Sequence, residues 1–262
     1  MTPRRRTSRA AFTLIELLVA VSIIAILLAV LMPGLGRARR QAGAAVCASN
    51  LRQIIMANAM YAENNNGRYC PGAADMRGGN RHRWHGTRSN GNGPFDAARG
   101  PLTPYLTSDG RIRSCPSFGQ YARRFEAGNG GYGYNNAFIG TELVETGPGL
   151  YVLRSDRTGV QVDRVRRPAE TLMFVDSAFV SNHELIEYSF AEPRFHPTFG
   201  TRADPSIHFR HARRANVGWC DGHVDAHRRT FTWSSGLYLG DPARFDIGWS
   251  GQTDDNSLFD LR

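Results

Sequence analysis

The apolar pattern of the chain changes period twice. From Phe12 to Met32 only Thr13, Glu16 and Ser22 are polar, and the run shows no one-sided stripe. At about 1.5 Å per residue such a helix spans roughly 30 Å, the thickness of a bilayer core. Past Pro33-Gly34 the apolar positions recur at spacings of three and four: Leu35, Ala38, Ala42, Ala45, Cys47, Leu51, Ile54, Ile55, Asn58 and Ala62. Arg39, Arg40, Ser49, Arg52, Gln53 and Glu63 fall opposite, which predicts an amphipathic helix with one face for packing. Asn64-Asn65-Asn66-Gly67 reads as its stop. One helix is therefore expected from Phe12 to about Asn64. Pro33 is the predicted kink, because it lacks a backbone donor and crowds the preceding turn.

Residues 67–130 lose this periodicity. They are rich in Gly, Arg, Asn and Pro, with one short helix expected at Pro101 to Thr107. Gly128 to Asn136 has the glycines of a phosphate cradle but no Gly-Lys-Ser/Thr ending, so it reads as a turn with aromatic packing. Strand patterns follow at 150–153, 160–165, 171–176 and 206–211, and the continuous apolar run of 171–176 marks a central strand. Asp221-Gly222 is a preferred pair for a two-residue hairpin turn. Folding there pairs Cys220 with His223, Trp219 with Val224, Gly218 with Asp225 and Val217 with Ala226. That register gives one apolar face (Val217, Trp219, Val224, Ala226) and one polar face (Asn216, Cys220, His223, Asp225, His227). The expected fold class is α+β: a long N-terminal helix whose second half packs on an antiparallel sheet of about four to six strands. The expected organisation is residues 1–11, a 12–32 apolar helix, a 33–66 amphipathic continuation and a 67–262 head. The head divides into an irregular insertion (67–130), a sheet (131–230) and a tail (231–262).

Charge and composition narrow the chemistry. The net charge is +9, and Lys is absent, so every basic residue is Arg. That removes any mechanism needing a phosphate-loop or Schiff-base Lys. Arg210, Arg213 and Arg214 with Arg164, Arg166 and Arg167, near Phe209 and Trp219, form a candidate patch for a nucleic-acid backbone, weighed against an ordinary Arg-rich surface. Cys47, Cys70, Cys115 and Cys220 match no zinc spacing; three disulfide connectivities stay open. Cys220, His223, Asp225 and His227 are metal-ligand types on one predicted hairpin face, weighed against a solvated or subunit-facing polar strand. His211 and Asp221 are candidates to fix that hairpin by a mutual hydrogen bond. Asp241, Asp246, Asp254 and Asp255 supply oxygen donors in the tail, but their spacing fits no defined Ca²⁺ loop and a solvated acidic tail is the plainer reading. No nucleophile elbow, His-Glu-x-x-His or paired carboxylate motif stands out, so the expectation is a protein that is not an enzyme and needs no cofactor.

The N-terminal order of features resembles the type IV prepilin signal. Arg4, Arg5, Arg6 and Arg9 come first, then Ala10 and Ala11, then Phe12-Thr13-Leu14-Ile15-Glu16-Leu17-Leu18-Val19. A secretory signal peptide would place its small residues after a shorter apolar run. The resemblance implies cleavage between Ala11 and Phe12 by a prepilin peptidase and N-methylation of Phe12. It also implies that Glu16, fifth after the cut, meets the terminal amine of a neighbouring subunit during assembly. Pro33 matches a common pilin proline; Ala11 departs from the usual Gly. His211, nine residues, then Asp221-Gly222 is similar to the His-X9-Asp-Gly motif of a bacterial family of prepilin-type paralogues. Cys47-Ala48-Ser49-Asn50-Leu51-Arg52-Gln53-Ile54, Cys115-Pro116-Ser117 and Tyr132-Gly133-Tyr134-Asn135 are similar to its other landmarks. What this implies is a pilin-like fold and a structural subunit of a filament, type II secretion pseudopilin-like. Its partners would be sister subunits and an inner-membrane assembly platform. The implied location is a single-pass inner-membrane protein with a cytoplasmic N-terminus and an envelope-facing head, later assembled in a filament. The competing readings are a minor pilin capturing DNA, an anchored envelope enzyme or metal-binding protein, and a plain anchored protein.

Overall fold

The computed structural model describes residues 14–91, 93–106, 112, 114–118 and 126–261. The chain divides into two compact units, Met1–Gln41 and Ala42–Arg262. Helix α1 (Leu14–Asn64) is assigned without a break, through Pro33. In the first unit its apolar residues are exposed, from Val19 at 50% to Leu14 at 80%.

In the second unit the same helix is one-sided. Cys47, Asn50, Leu51, Ile54, Ile55, Ala57, Asn58 and Ala62 are buried; of the face expected from the three-and-four spacing, the part from Cys47 onward is covered, whereas Leu35, Ala38, Ala42 and Ala45 are exposed. That face lies on a four-stranded antiparallel sheet made of β1 (Tyr132–Tyr134), β2 (Leu172–Asp176), β3 (Arg214–Trp219) and β4 (Val224–Arg228). The strand order is β4-β3-β2-β1. All five residues of β2 are buried, as a continuous apolar run between two partners requires. Gly218 of β3 lets the helix approach: a Cβ there would sit 2.5 Å from Ile55 Cδ1. Asn58, fully buried, donates to Tyr134 Oη at 3.1 Å and accepts from the Cys70 N–H at 2.8 Å, so its amide is satisfied inside the core.

Several elements differ from the sequence pattern. The alternating run at 160–165 is not a strand; Gln161 makes one bridge to Arg68 and Val162–Arg164 is a short 3₁₀ turn. The run at 206–211 shortens to Ile207–His208, which pairs with Ile247–Gly248 from the tail. Of the short helix expected from Pro101, a 3₁₀ turn, Thr103–Tyr105, is present; its expected end, Thr107, lies outside the described residues. The 67–130 insertion carries its own buried centre. Trp84 lies edge-on to Phe174 at 5.0 Å, and Arg83 grips Glu126 at 2.6 Å with both side chains 2% exposed. The tail is part of the core as well, through Trp249, Phe259 and Leu261.

The hairpin exists, in a different register. Gly218 pairs with Val224 and Val217 with Asp225, one residue off the expected pairing. Cys220-Asp221-Gly222 forms a three-residue loop: the Gly222 N–H donates to the Trp219 carbonyl and the Trp219 N–H to the His223 carbonyl. Gly222 takes φ +97°, the position such a loop reserves for glycine. A one-residue slip exchanges the faces. Trp219 therefore lies with His223, Asp225 and His227: its Nε1 donates to Asp225 Oδ1 at 2.8 Å and its ring stacks on His223 at 5.7 Å.

Candidate functional site

Two places stand out, one in each unit. In the first, α1 is long and apolar enough to cross a membrane. Between Leu14 and Met32 the only ionisable residue is Glu16. Ser22 hides its hydroxyl by donating to the Leu18 carbonyl at 2.8 Å, leaving a side-chain surface of hydrocarbon around one carboxyl. A charge at a bilayer centre costs about 2.5–3.5 kcal/mol, so a cation that docks on Glu16 removes a real penalty. Ala11 and Phe12, the expected cleavage position, lie outside the described residues.

The second place lies where α1 meets the sheet. Cys47 on α1 and Cys115 on the insertion form a disulfide, with Cα atoms 5.1 Å apart; Cys70 and Cys220 are free thiols. Burial pushes both free thiols well above the ordinary range, so neither is held as a reactive thiolate. Against the disulfide stand Asp176, at the end of β2, and Arg210 and His211, just before β3. Arg210 donates to Asp176 Oδ1 at 2.8 Å, to the Ser177 carbonyl at 3.1 Å and to the Gly131 carbonyl at 2.5 Å. His211 Nε2 is 3.3 Å from Asp176 Oδ2 and 3.5 Å from Cys115 Sγ. Asp176 Oδ2 also accepts the Asn216 N–H at 2.7 Å. Burial pushes the Asp176 carboxyl up, but Arg210, His211 and the Asn216 N–H outweigh it and hold the group below its usual value. His211 is set by a two-residue turn in which the His211 and Arg214 backbones bond each other. Its central residues, Ala212 and Arg213, both take positive φ, 51° and 62°, a conformation unfavourable for residues with a Cβ.

His211 and Asp221 do not meet. Asp221 instead pairs with His223 Nδ1 at 2.6 Å, and His227 Nε2 lies 3.1 Å from Asp225. The hairpin set Cys220, His223, Asp225 and His227 is thus divided into separate pairs, with Cys220 in the loop. Among the described residues the metal-type donors brought within 4.8 Å of one another are those of Cys47, Cys115, Asp176 and His211. The tail carboxylates are also divided. Asp254 holds Arg194 and Arg202, Asp255 accepts from Ser257, Asp241 caps a 3₁₀ turn, and Asp246 faces Arg229. Of the basic patch, Arg210 is turned inward, its side chain 2% exposed, and Phe209 and Trp219 are buried, which denies nucleobases those stacking surfaces. Ser189 meets His85 Nε2 at 2.8 Å but is fully buried and donates to Glu126 at 2.7 Å, so that pair locks the core.

Sequence reasoning missed Asp176 and placed Arg210 on the surface. One signal was present: a carboxylate closing a continuous apolar strand needs a buried cation, and every basic residue here is Arg.

A family model described as the prokaryotic N-terminal methylation motif matches residues 6–32. No curated protein and no solved structure matches the chain.

Proposed function

We propose that this chain is a structural subunit of a type IV pilus-like filament, of the type II secretion pseudopilin class. The observation that carries the reading is the methylation motif over residues 6–32, laid on an apolar helix with one acidic residue. Arg4, Arg5, Arg6 and Arg9 keep the N-terminus on the cytoplasmic side during insertion. A prepilin peptidase cuts between Ala11 and Phe12 and methylates the new amine. Glu16 of one subunit then faces the Phe12 amine of its neighbour on an assembly platform in the inner membrane. Docking of helices in register sets a cation against the carboxylate and lowers its desolvation penalty, so the charge favours the assembled state. Apolar side chains of neighbouring helices pack together, the heads cover the outside, and the work of the filament is mechanical.

The test is genetic. The gene is deleted and restored as wild type or as Glu16→Leu, and the proteins outside the cell are compared. Loss of a defined exported set, restored by wild type alone, is the expected outcome. An unchanged exported set rejects the secretion assignment and turns attention to surface pili.

A further inference from the structure

The three stretches that share motifs far apart in sequence, around Cys47, Cys115 and His211, converge on Asp176 in one buried cluster. We propose that Cys47, Cys115, His211 and Asp176 form a redox-gated site for a zinc-type divalent cation: a disulfide when oxidised, a four-ligand metal centre when reduced.

The donor set is two thiols, one imidazole and one carboxylate, a combination suited to a borderline-soft tetrahedral cation. Tetrahedral bonds of about 2.0–2.3 Å place neighbouring donors roughly 3.3–3.8 Å apart. His211 Nε2 already lies 3.3 Å from Asp176 Oδ2 and 3.5 Å from Cys115 Sγ. The remaining separations lie within 4.8 Å, and the two sulfurs must part from bonding distance to about 3.8 Å, a movement available to cysteine side chains whose Cα atoms are 5.1 Å apart. All four residues are buried, Cys47 and Asp176 fully so, which excludes water from the ligands.

Charge supports the same assignment. Two thiolates and one carboxylate against a dication leave one negative charge, and the Arg210 guanidinium supplies the compensating positive one. Arg210 is 2.8 Å from Asp176 Oδ1 and its Nε is 3.4 Å from Cys115 Sγ, so it acts as an outer partner that orients both ligands. Asp176 Oδ2, on the other side of the carboxylate, remains turned toward His211. The strained turn at Ala212-Arg213 delivers His211 to this point.

The chemistry balances with a phosphine or dithiol reductant. With a phosphine and water, the disulfide becomes two thiols and the phosphine its oxide. The two thiols then bind the cation and release two protons. In either state the centre fastens α1 to the insertion and the sheet, by a covalent bond or by a metal.

The test uses the full chain in detergent, reduced with a phosphine and titrated with Co²⁺ alone. Expected is one equivalent bound, with thiolate-to-cobalt charge transfer and tetrahedral ligand-field absorption, both erased by Zn²⁺. The oxidised chain and Cys47→Ser give no such spectrum. Cys70→Ser/Cys220→Ser retains it. His211→Ala keeps the disulfide when oxidised and weakens the reduced site by more than about tenfold. Near-ultraviolet circular dichroism follows the fold alongside. If reduction loosens the head and the cation restores it, the proposal stands. The proposal is overturned if the reduced chain takes up no cobalt, if uptake survives Cys47→Ser, or if the cation fails to restore a head loosened by reduction.

Discussion

Arg210→Met removes a cation that three elements share. It takes away the hydrogen bonds to Asp176, Ser177 and Gly131 and the guanidinium lying 4.8 Å over the Phe118 ring. Gly131 O keeps its bond from the Ser177 N–H, so that carbonyl is not orphaned. Asp176 is the costly remainder: fully buried, it retains only His211 and the Asn216 N–H. Deleting one partner of a buried ion pair costs about 3–5 kcal/mol. Against a total stability of about 5–15 kcal/mol, the loss is about a fifth of the whole or more. The assay is urea unfolding of the full chain in detergent, followed by fluorescence of Trp84, Trp219 and Trp249, all buried. Asp176→Asn added to Arg210→Met should recover at least about 1 kcal/mol, because it removes the stranded charge and keeps an acceptor for Asn216. The pH profile gives a second reading. The Asp176 pKa is lowered in the fold, so its contribution is present above the ordinary value of 3.8 and is lost as pH falls through the lower folded value. Arg210→Met should move that loss to higher pH. A loss of stability under about 1 kcal/mol, the size of a surface pair, would refute the reasoning.

Other perturbations test other parts of the head. Burial, with Arg83 and Arg88, lowers the His85 pKa to about 3; burial, with Arg210, does the same for His208. Between about pH 3 and 6.5 the unfolded chain therefore binds protons the fold refuses, and stability should fall on acidification by about 1.4 kcal/mol per pH unit for each histidine; a flat stability profile over that range contradicts this. Gly222→Ala should cost about 1 kcal/mol through φ alone, since nothing lies within 4 Å of the added Cβ, while a neutral result would show the loop is not in this conformation. Cys47→Ser in the oxidised chain opens a 68-residue loop and should cost about 4 kcal/mol by chain entropy; equal urea midpoints for variant and wild type would show that the bridge does not constrain the unfolded chain.

Features governed by neighbours in sequence were legible. The length of α1, its buried face at Cys47, Leu51, Ile54, Ile55 and Asn58, and the central strand 172–176 all follow from local period. The hairpin was legible as an object but not in register, because Asp-Gly serves a two-residue turn and equally the end of a three-residue loop. That single residue decided which side chains share a face, and so scattered the hairpin histidines. The run at 160–165 alternates as a strand does, yet among the described residues its one bridge is from Gln161 to Arg68. The Cys47–Cys115–Asp176–His211 cluster was out of reach, since four segments distant in sequence meet there only after the sheet is assembled.

If residues 6–32 are a processing and assembly signal, the mature N-terminus carries its mark. The full chain, produced with a prepilin peptidase and purified from membranes, is digested and its N-terminal peptide weighed. The expected peptide begins at Phe12 and carries one added methyl group on its amine. An N-terminus at Met1 or Thr2, or a cut after the apolar run, would contradict it.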